Sequence, residues 1–321
     1  MTRGFVLGKF MPPHEGHLRL CETAQAMVDA LTILVCWLDD DPIPGPLRLA
    51  WMRELFPAAR VVGHGATVPQ APGDHPDFWP IWRAIVRAAH PEPVDLVFAG
   101  EDYGAQLAAE LGAGFFMVPR GADRPSGTAV RAAPWQHWDA LPAPVRGHFA
   151  RTVVLHGAES TGKTVLGERL ARHFETDWVP EYARAHCARH GGTLAAADLV
   201  AIARRQSAAI AAGRRRCNRR LVADTDALAT AAWSQMLLGH VPDEVGDQPR
   251  GDLYLLLEDD VPWHDDGTRY FAEPQRRRAF AKLCRRTLDD AAVPYVTLSG
   301  GWDARFAAAV AAVEQSGQRG T

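Results

Sequence analysis

Short apolar runs alternate with helix-like stretches along the whole chain. Phe5-Val6-Leu7 predicts a strand and residues 16–30 a helix; the buried-type run 31–37 predicts a second strand and residues 47–56 a helix. The pattern continues with a short strand at 60–62, a helix at 78–89, a strand at 94–99, a helix at 104–111 and a strand at 115–118. After a proline-punctuated stretch (Pro134, Pro142, Pro144) it resumes. Strands are predicted at 152–155, 178–181, 221–224, 253–257 and 295–298, and helices within 159–174 and at 194–212, 275–291 and 305–314. Strands that alternate with helices predict parallel sheets covered on both faces. The expected fold class is therefore α/β, with two doubly wound parallel-sheet domains. The boundary is expected near Gly147, giving domains 1–147 and 148–321.

Composition narrows the function classes. A chain of 321 residues with 47% hydrophobic residues can bury two cores of ordinary size. A formal net charge of -3 provides no general drive toward nucleic acid or anionic membrane. The five cysteines are scattered, with no C-x-x-C pair, which predicts a reduced, cytoplasmic protein. The chain enters a strand at once, so no signal peptide is expected, and no apolar run is long enough to span a bilayer. The thirteen histidines include no H-E-x-x-H pattern.

Two loops carry chemistry, each directly after the first strand of its half. Residues 157–164, Gly157-Ala158-Glu159-Ser160-Thr161-Gly162-Lys163-Thr164, match G-x-x-x-x-G-K-T. The glycines let successive N–H groups face phosphate oxygens, and the following helix adds its positive end. Lys163 is expected to reach the β- and γ-phosphates of ATP and Thr164 to ligate Mg²⁺. Asp224, closing its strand, is placed as the acid that holds Mg²⁺, with Asp226 two residues on. Glu181, in Pro180-Glu181-Tyr182-Ala183-Arg184, can accept the proton of an acceptor hydroxyl, or it is an exposed loop acid. Residues 261–269 with Arg276, Arg277 and Arg278 read as a lid or as a solvated helix start. The arginine-rich run 214–220 has no interleaved aromatics and reads as a charged connector.

The first loop is Gly8-Lys9-Phe10-Met11-Pro12-Pro13-His14-Glu15-Gly16-His17. His14 and His17, at i and i+3 where a helix begins, share one face and can donate to polyphosphate oxygens. Lys9 adds a cation and Gly16 permits close approach. Ser126-Gly127-Thr128-Ala129-Val130-Arg131 offers hydroxyls, a glycine and a cation, the parts needed to hold a leaving pyrophosphate. No enzyme nucleophile stands out, so in-line attack on the α-phosphorus is the expected chemistry.

Gly8, Lys9 and Phe10 with His14-x-Gly16-His17 and Ser126-Gly127-Thr128…Arg131 resemble the nucleotidyltransferase superfamily. Joined to the loop at 157–164, to Glu181-Tyr182-x-Arg184, to Asp224-Thr225-Asp226 and to Pro262-Trp263…Asp266-Gly267-x-Arg269, they resemble bifunctional NadR-type proteins. The resemblance covers nearly the whole chain. It implies a Rossmann-like nicotinamide mononucleotide adenylyltransferase followed by a P-loop ribosylnicotinamide kinase. It further implies ATP and Mg²⁺ as cofactors, nicotinamide riboside and its mononucleotide as substrates, and NAD as product. His14 and His17 would bind ATP phosphates, and Thr128 and Arg131 the β/γ-phosphates. Trp79 or Trp82 would stack on the nicotinamide ring, or belong to the core; Trp263 would serve the riboside. Tyr182, Arg184, Asp226 and Arg269 are further substrate-binding candidates. Family members that bind DNA carry an N-terminal helix-turn-helix, absent from this sequence, so no nucleic-acid partner is expected; homo-oligomerisation is left open. The rival readings are another adenylyltransferase–kinase fusion, such as the last steps of coenzyme A synthesis, and a non-catalytic sensor of NAD and ATP.

Overall fold

The apolar runs become the strands of two parallel five-stranded sheets. The structure is a computed structural model and describes residues 1–119, 125–262 and 273–318. The backbone divides into two compact units, Met1–Val145 and Arg146–Thr321.

In the first unit, β1 (Arg3–Gly8), α1 (Glu15–Met27), β2 (Ala30–Cys36), α2 (Gly45–Leu55) and β3 (Arg60–His64) build one half. The other half is α3 (Phe78–Ala89), β4 (Leu96–Ala99), α4 (Tyr103–Leu111), β5 (Gly114–Met117) and α5 (Gly127–Ala132). Strand order is β3-β2-β1-β4-β5, all pairs parallel, with Val6 opposite both Ile33 and Phe98. Helices cover both faces because alternate strand residues point to opposite sides. One core gathers Val6, Ile33, Val35, Met52 and Phe98; the other gathers Phe5, Leu34, Trp82, Val86 and Val97. The sheet reverses direction between β1 and β4, and the loop after β1 lies at that crevice, where open parallel sheets bind ligands.

A 3₁₀ turn (Trp138–Ala140) and α6 (Ala143–Phe149) lead across the division, with Trp138, Leu141 and Val145 buried. The second unit begins with β6 (Arg151–His156), α7 (Lys163–His173), β7 (Trp178–Val179), α8 (Tyr182–His190), α9 (Ala196–Arg214) and β8 (Arg220–Ala223). It ends with α10 (Ala227–Leu238), α11 (Asp243–Gly246), β9 (Leu253–Leu257), α12 (Pro274–Asp290), β10 (Tyr295–Leu298) and α13 (Trp302–Gln318). Strand order is β10-β9-β6-β8-β7. β6, with residues 152–156 buried, is central and reads as a run apolar on both faces.

Three helices of this unit lie outside the predicted set. α10 is made of small and apolar residues with no polar face, and it is buried between α9 and α12, so periodicity does not mark it. α8 and α11 are short. The arginine run 214–220 is a connector in which Arg214 pairs with Asp252, Arg216 pairs with Asp177 and Arg220 lies over Phe174.

Gly157, at the end of β6, has φ 129°, and a Cβ there would approach the Leu257 carbonyl oxygen to 2.5 Å. Gly157→Ala is therefore expected to destabilise the second unit by about 1–3 kcal/mol, the usual cost of a forced backbone conformation. Urea unfolding of the two proteins measures it; equal midpoints would show that the loop relaxes without cost.

Candidate functional sites

In the first unit the two motifs meet. His14 caps α1, its Nδ1 accepting from the Gly16 N–H at 3.1 Å, and its ring centroid lies 4.0 Å from that of His17. Phe10, in a left-handed conformation (φ 47°), packs its buried ring 5.1 Å from His17. Ser126 caps α5 through the Ala129 N–H at 3.2 Å. Arg131 donates to the Met11 carbonyl and, at 3.2 Å, to Thr128 Oγ1. A Cβ on Gly127 would stand 3.2 Å from the Met11 oxygen and 3.8 Å from His14 Nε2, so a glycine there lets α5 reach the histidine loop. Two imidazoles and Arg131 thus converge at the start of α1, with Lys9 on the same loop, an arrangement suited to a polyphosphate.

Arg48 holds this loop in place and carries no motif signature. Its side chain is fully buried, and it donates to the carbonyls of Lys9 (2.5 Å), Ile43 (2.9 Å) and Cys36 (3.3 Å) and to Asp41 (2.5 Å). Burial opposes ionisation of Asp41, but the Leu38 N–H and the Arg48 guanidinium outweigh it and hold that carboxyl below its ordinary range. Asp41 in turn pairs with Lys9 at 3.4 Å.

In the second unit, the loop between β6 and α7 curls through left-handed Ser160 (φ 58°) and Gly162 (φ 88°). Lys163 Nζ donates to the Gly157 and Ala158 carbonyls at 3.0 and 2.8 Å. Thr164 Oγ1 donates to Asp224 Oδ2 at 2.6 Å, while Asp224 Oδ1, also buried, makes no hydrogen bond among the described residues. The Asp224 residue is 1% exposed. Burial pushes its carboxyl up to about 6; Lys163 opposes that shift and Glu181 adds to it. Two oxygen donors on adjacent elements, one of them unsatisfied, fit a magnesium ion that keeps most of its own water. Among the described residues no group of three or more His, Cys, Asp or Glu could hold a metal by itself.

A cavity of about 410 Å³ opens beside this loop. Gly157, Glu159, Lys163, Glu181 and Arg184 make its polar side; Leu199, Ile202, Trp233 and Phe280 make its apolar side. The Trp233 and Phe280 rings lie 4.2 Å apart, an aromatic wall built from α10 and α12. Arg184 Nε donates to Glu181 Oε2 at 3.2 Å.

Gln206, in the middle of α9, joins the two rims. It is 1% exposed. Its Oε1 accepts from the Tyr182 N–H at 2.8 Å, and its Nε2 donates to the Thr225 carbonyl at 3.1 Å and the Pro180 carbonyl at 3.3 Å. One amide therefore sets where Glu181 stands relative to Asp224.

Residues 152–305 match the family model described as an AAA domain. The trifunctional NAD biosynthesis/regulator protein NadR of Escherichia coli (strain K12) is 29% identical over 340 residues, covering 98% of this chain and 83% of that protein. The protein of the same name from Salmonella typhimurium (strain LT2) is 29% identical over 345 residues, covering 99% of this chain and 84% of that protein. The chain is homologous to NadR proteins over nearly its whole length. Its fold is also theirs. A crystal structure of a NadR protein in complex with NR has a TM-score of 0.78 at 22% identity, covering 98% of this chain and 96% of that chain. One in complex with NAD and AMP-PNP has a TM-score of 0.76 at 23% identity, with the same coverage.

Not every candidate residue sits where the motifs imply. Trp82 is a core residue, packed with Phe78 and donating to the Pro69 carbonyl at 3.0 Å, because the apolar face of α3 turns onto the sheet. Trp79 is only partly buried and keeps an edge-on contact with Phe78. Asp226 points into the protein. It caps α10 through the Leu228 N–H at 2.9 Å and accepts from the buried Tyr254 hydroxyl, which makes it a structural acid rather than a cavity residue. Tyr182 binds Arg205 through its hydroxyl. Trp263 and Arg269 lie outside the described residues.

Burial of the Asp224 carboxyl makes folding stability depend on pH. Its folded pKa exceeds the ordinary carboxylate value, so protonation favours the folded state, and that contribution is lost as pH rises from about 4 through about 6. Asp224→Asn, which keeps the acceptor for Thr164, is expected to be more stable than the parent at pH 7.5 by about 2–3 kcal/mol and to flatten the pH dependence between 4 and 6. Urea midpoints across that range measure it; a less stable variant at pH 7.5 would contradict the assignment.

Proposed function

We propose that this chain makes NAD from nicotinamide riboside in two ATP-dependent steps, the second unit acting first. The observation that carries the reading is the presence in one chain of two different phosphate sites, the Lys163–Asp224–Glu181 cavity and the His14–His17–Arg131 cluster. Similarity to NadR proteins along nearly the whole length supports it.

In the second unit the 5′-hydroxyl of the riboside lies at Glu181. The Glu181 carboxylate takes the hydroxyl proton as the oxygen attacks the γ-phosphorus of ATP, and the bond to the β-phosphate oxygen breaks, releasing ADP. Lys163 and the backbone N–H groups of residues 157–164 neutralise charge on the transferring group, and Arg184 orients Glu181. Mg²⁺, held by Thr164 and Asp224, would screen the phosphate charges. The Trp233–Phe280 wall suits the flat cationic ring of the riboside.

In the first unit a phosphate oxygen of the mononucleotide attacks the α-phosphorus of a second ATP and pyrophosphate departs. His14, His17, Lys9, Thr128 and Arg131 hold the triphosphate in line, so that catalysis is positioning and charge stabilisation rather than covalent chemistry. Trp79 is the aromatic candidate for the nicotinamide ring. Both steps would take place in the cytoplasm.

The test is product analysis with Mg-ATP and nicotinamide riboside. The parent protein is expected to yield mononucleotide and then NAD. Lys163→Ala is expected to slow the first step by about 100-fold or more, the scale of losing a transition-state charge partner, while sparing NAD formation from supplied mononucleotide. His17→Ala is expected to do the reverse. Loss of both steps in one folded single variant would contradict two separate sites.

A further inference from the structure

The P-loop accounts for the phosphates of a nucleotide and leaves its base without a place. The sheet provides one. β10 runs parallel to β9, which runs parallel to β6, so the turn after β10 and the loop after β6 emerge at the same sheet edge. The residue that opens α13 there is Trp302, which is 51% exposed, a high value for the largest side chain type.

Trp302 is fixed against the P-loop. A Cβ built on Gly162 would come within 2.3 and 2.9 Å of its six-membered ring, so the indole occupies the space a side chain at Gly162 would need. Beneath it, Arg305 is 1% exposed and reaches the P-loop itself, donating to the Thr161 carbonyl at 3.1 Å. It also donates to the Gly300 and Glu258 carbonyls at 2.8 and 3.1 Å and pairs with Asp260. Its guanidinium lies 5.7 Å from the Trp302 ring centroid. Cβ atoms built on Gly300 and Gly301 would meet nothing within 4 Å, so the turn that leads into Trp302 is open. A large flat side chain thus lies against a phosphate loop with half of its surface bare. Covering the exposed face of an indole with a flat partner removes apolar area from water and adds an aromatic contact.

We infer that Trp302 is the platform on which the base of the P-loop nucleotide stacks. The inference rests on the reading of the second unit as an ATP site. Stacking on an indole uses the π-face common to all bases, so the contact provides affinity for a nucleotide over bare polyphosphate rather than a choice among bases. Arg305 is a positioning residue, setting Trp302 and Thr161 at a fixed separation.

The test compares Trp302→Phe, which keeps a π-face over Gly162, with Trp302→Leu, which keeps only apolar bulk. Calorimetry follows the ADP-binding event that Lys163→Ala removes, with tripolyphosphate as the base-free probe. Trp302→Leu is expected to weaken ADP about tenfold, the scale of losing one base–aromatic stack, and to leave tripolyphosphate within about twofold. Trp302→Phe is expected to restore most of the ADP affinity. Unchanged ADP affinity in Trp302→Leu, or an equal loss for tripolyphosphate, overturns the inference. Because the readout is binding, it stands apart from riboside turnover: absence of turnover in the parent sinks the kinase reading, whatever Trp302 does.

Discussion

Gln206 makes three hydrogen bonds, and all three go to backbone at the rims of the second site. Pro180, Tyr182 and Thr225 lie where strands have ended, so no ladder partner satisfies their peptide groups. A buried amide on a neighbouring helix takes that place. Its geometry leaves little freedom, because one acceptor and two donors are each committed. The separation between Glu181, which would take a proton, and Asp224, which would steady the charge, therefore follows from a side chain hydrogen-bonded to their neighbours in sequence. Arg48 does the same in the first unit, fastening Lys9 and the stretch toward His14 to the ends of β2 and α2. In the first unit a buried polar side chain completes the hydrogen bonds of the phosphate loop itself, and in the second it completes those of the two rims that carry Glu181 and Asp224.

The ionisation of the second site depends on the same packing. Asp224 is buried beside Glu181, which raises its carboxyl, and beside Lys163, which opposes the rise. A magnesium ion would supply the missing counter-charge on the unsatisfied oxygen. Folding stability is thereby given up at a place where charge is wanted, a common feature of sites that handle phosphate.

Much of the fold was legible from periodicity and punctuation. The strands are uniformly apolar where parallel sheets bury both faces, and the two glycine-bearing loops sit directly after β1 and β6. What escaped did so for physical reasons. α10 packs between α9 and α12 and is built of small and apolar residues nearly all round, so it has no polar stripe to reveal its period. Trp82 lies on the inward face of α3, while Trp79, three residues earlier and about 60° around the helix, sits at the edge of that face. Asp226 follows Asp224 in a way that suggests shared chemistry, yet an N-cap uses the same residue type. Gln206 and Arg48 lie mid-helix and near a helix start with no local sign of their partners, which are brought to them only by tertiary packing. Trp302 needed the contact with Gly162, across more than a hundred residues of chain, before it read as anything but a helix start.

By spacing its two rims, Gln206 would govern the chemistry of the second site. The direct measurement is the rate of riboside phosphorylation by Gln206→Leu, read beside NAD formation from supplied mononucleotide in the same protein. Gln206→Leu is expected to lower kcat for phosphorylation by about 10- to 100-fold, the scale of a displacement near 1 Å at reacting groups, with the KM for ATP little changed and the adenylyl-transfer rate at the parent value. A folded Gln206→Leu protein that phosphorylates the riboside at the parent rate would contradict that role.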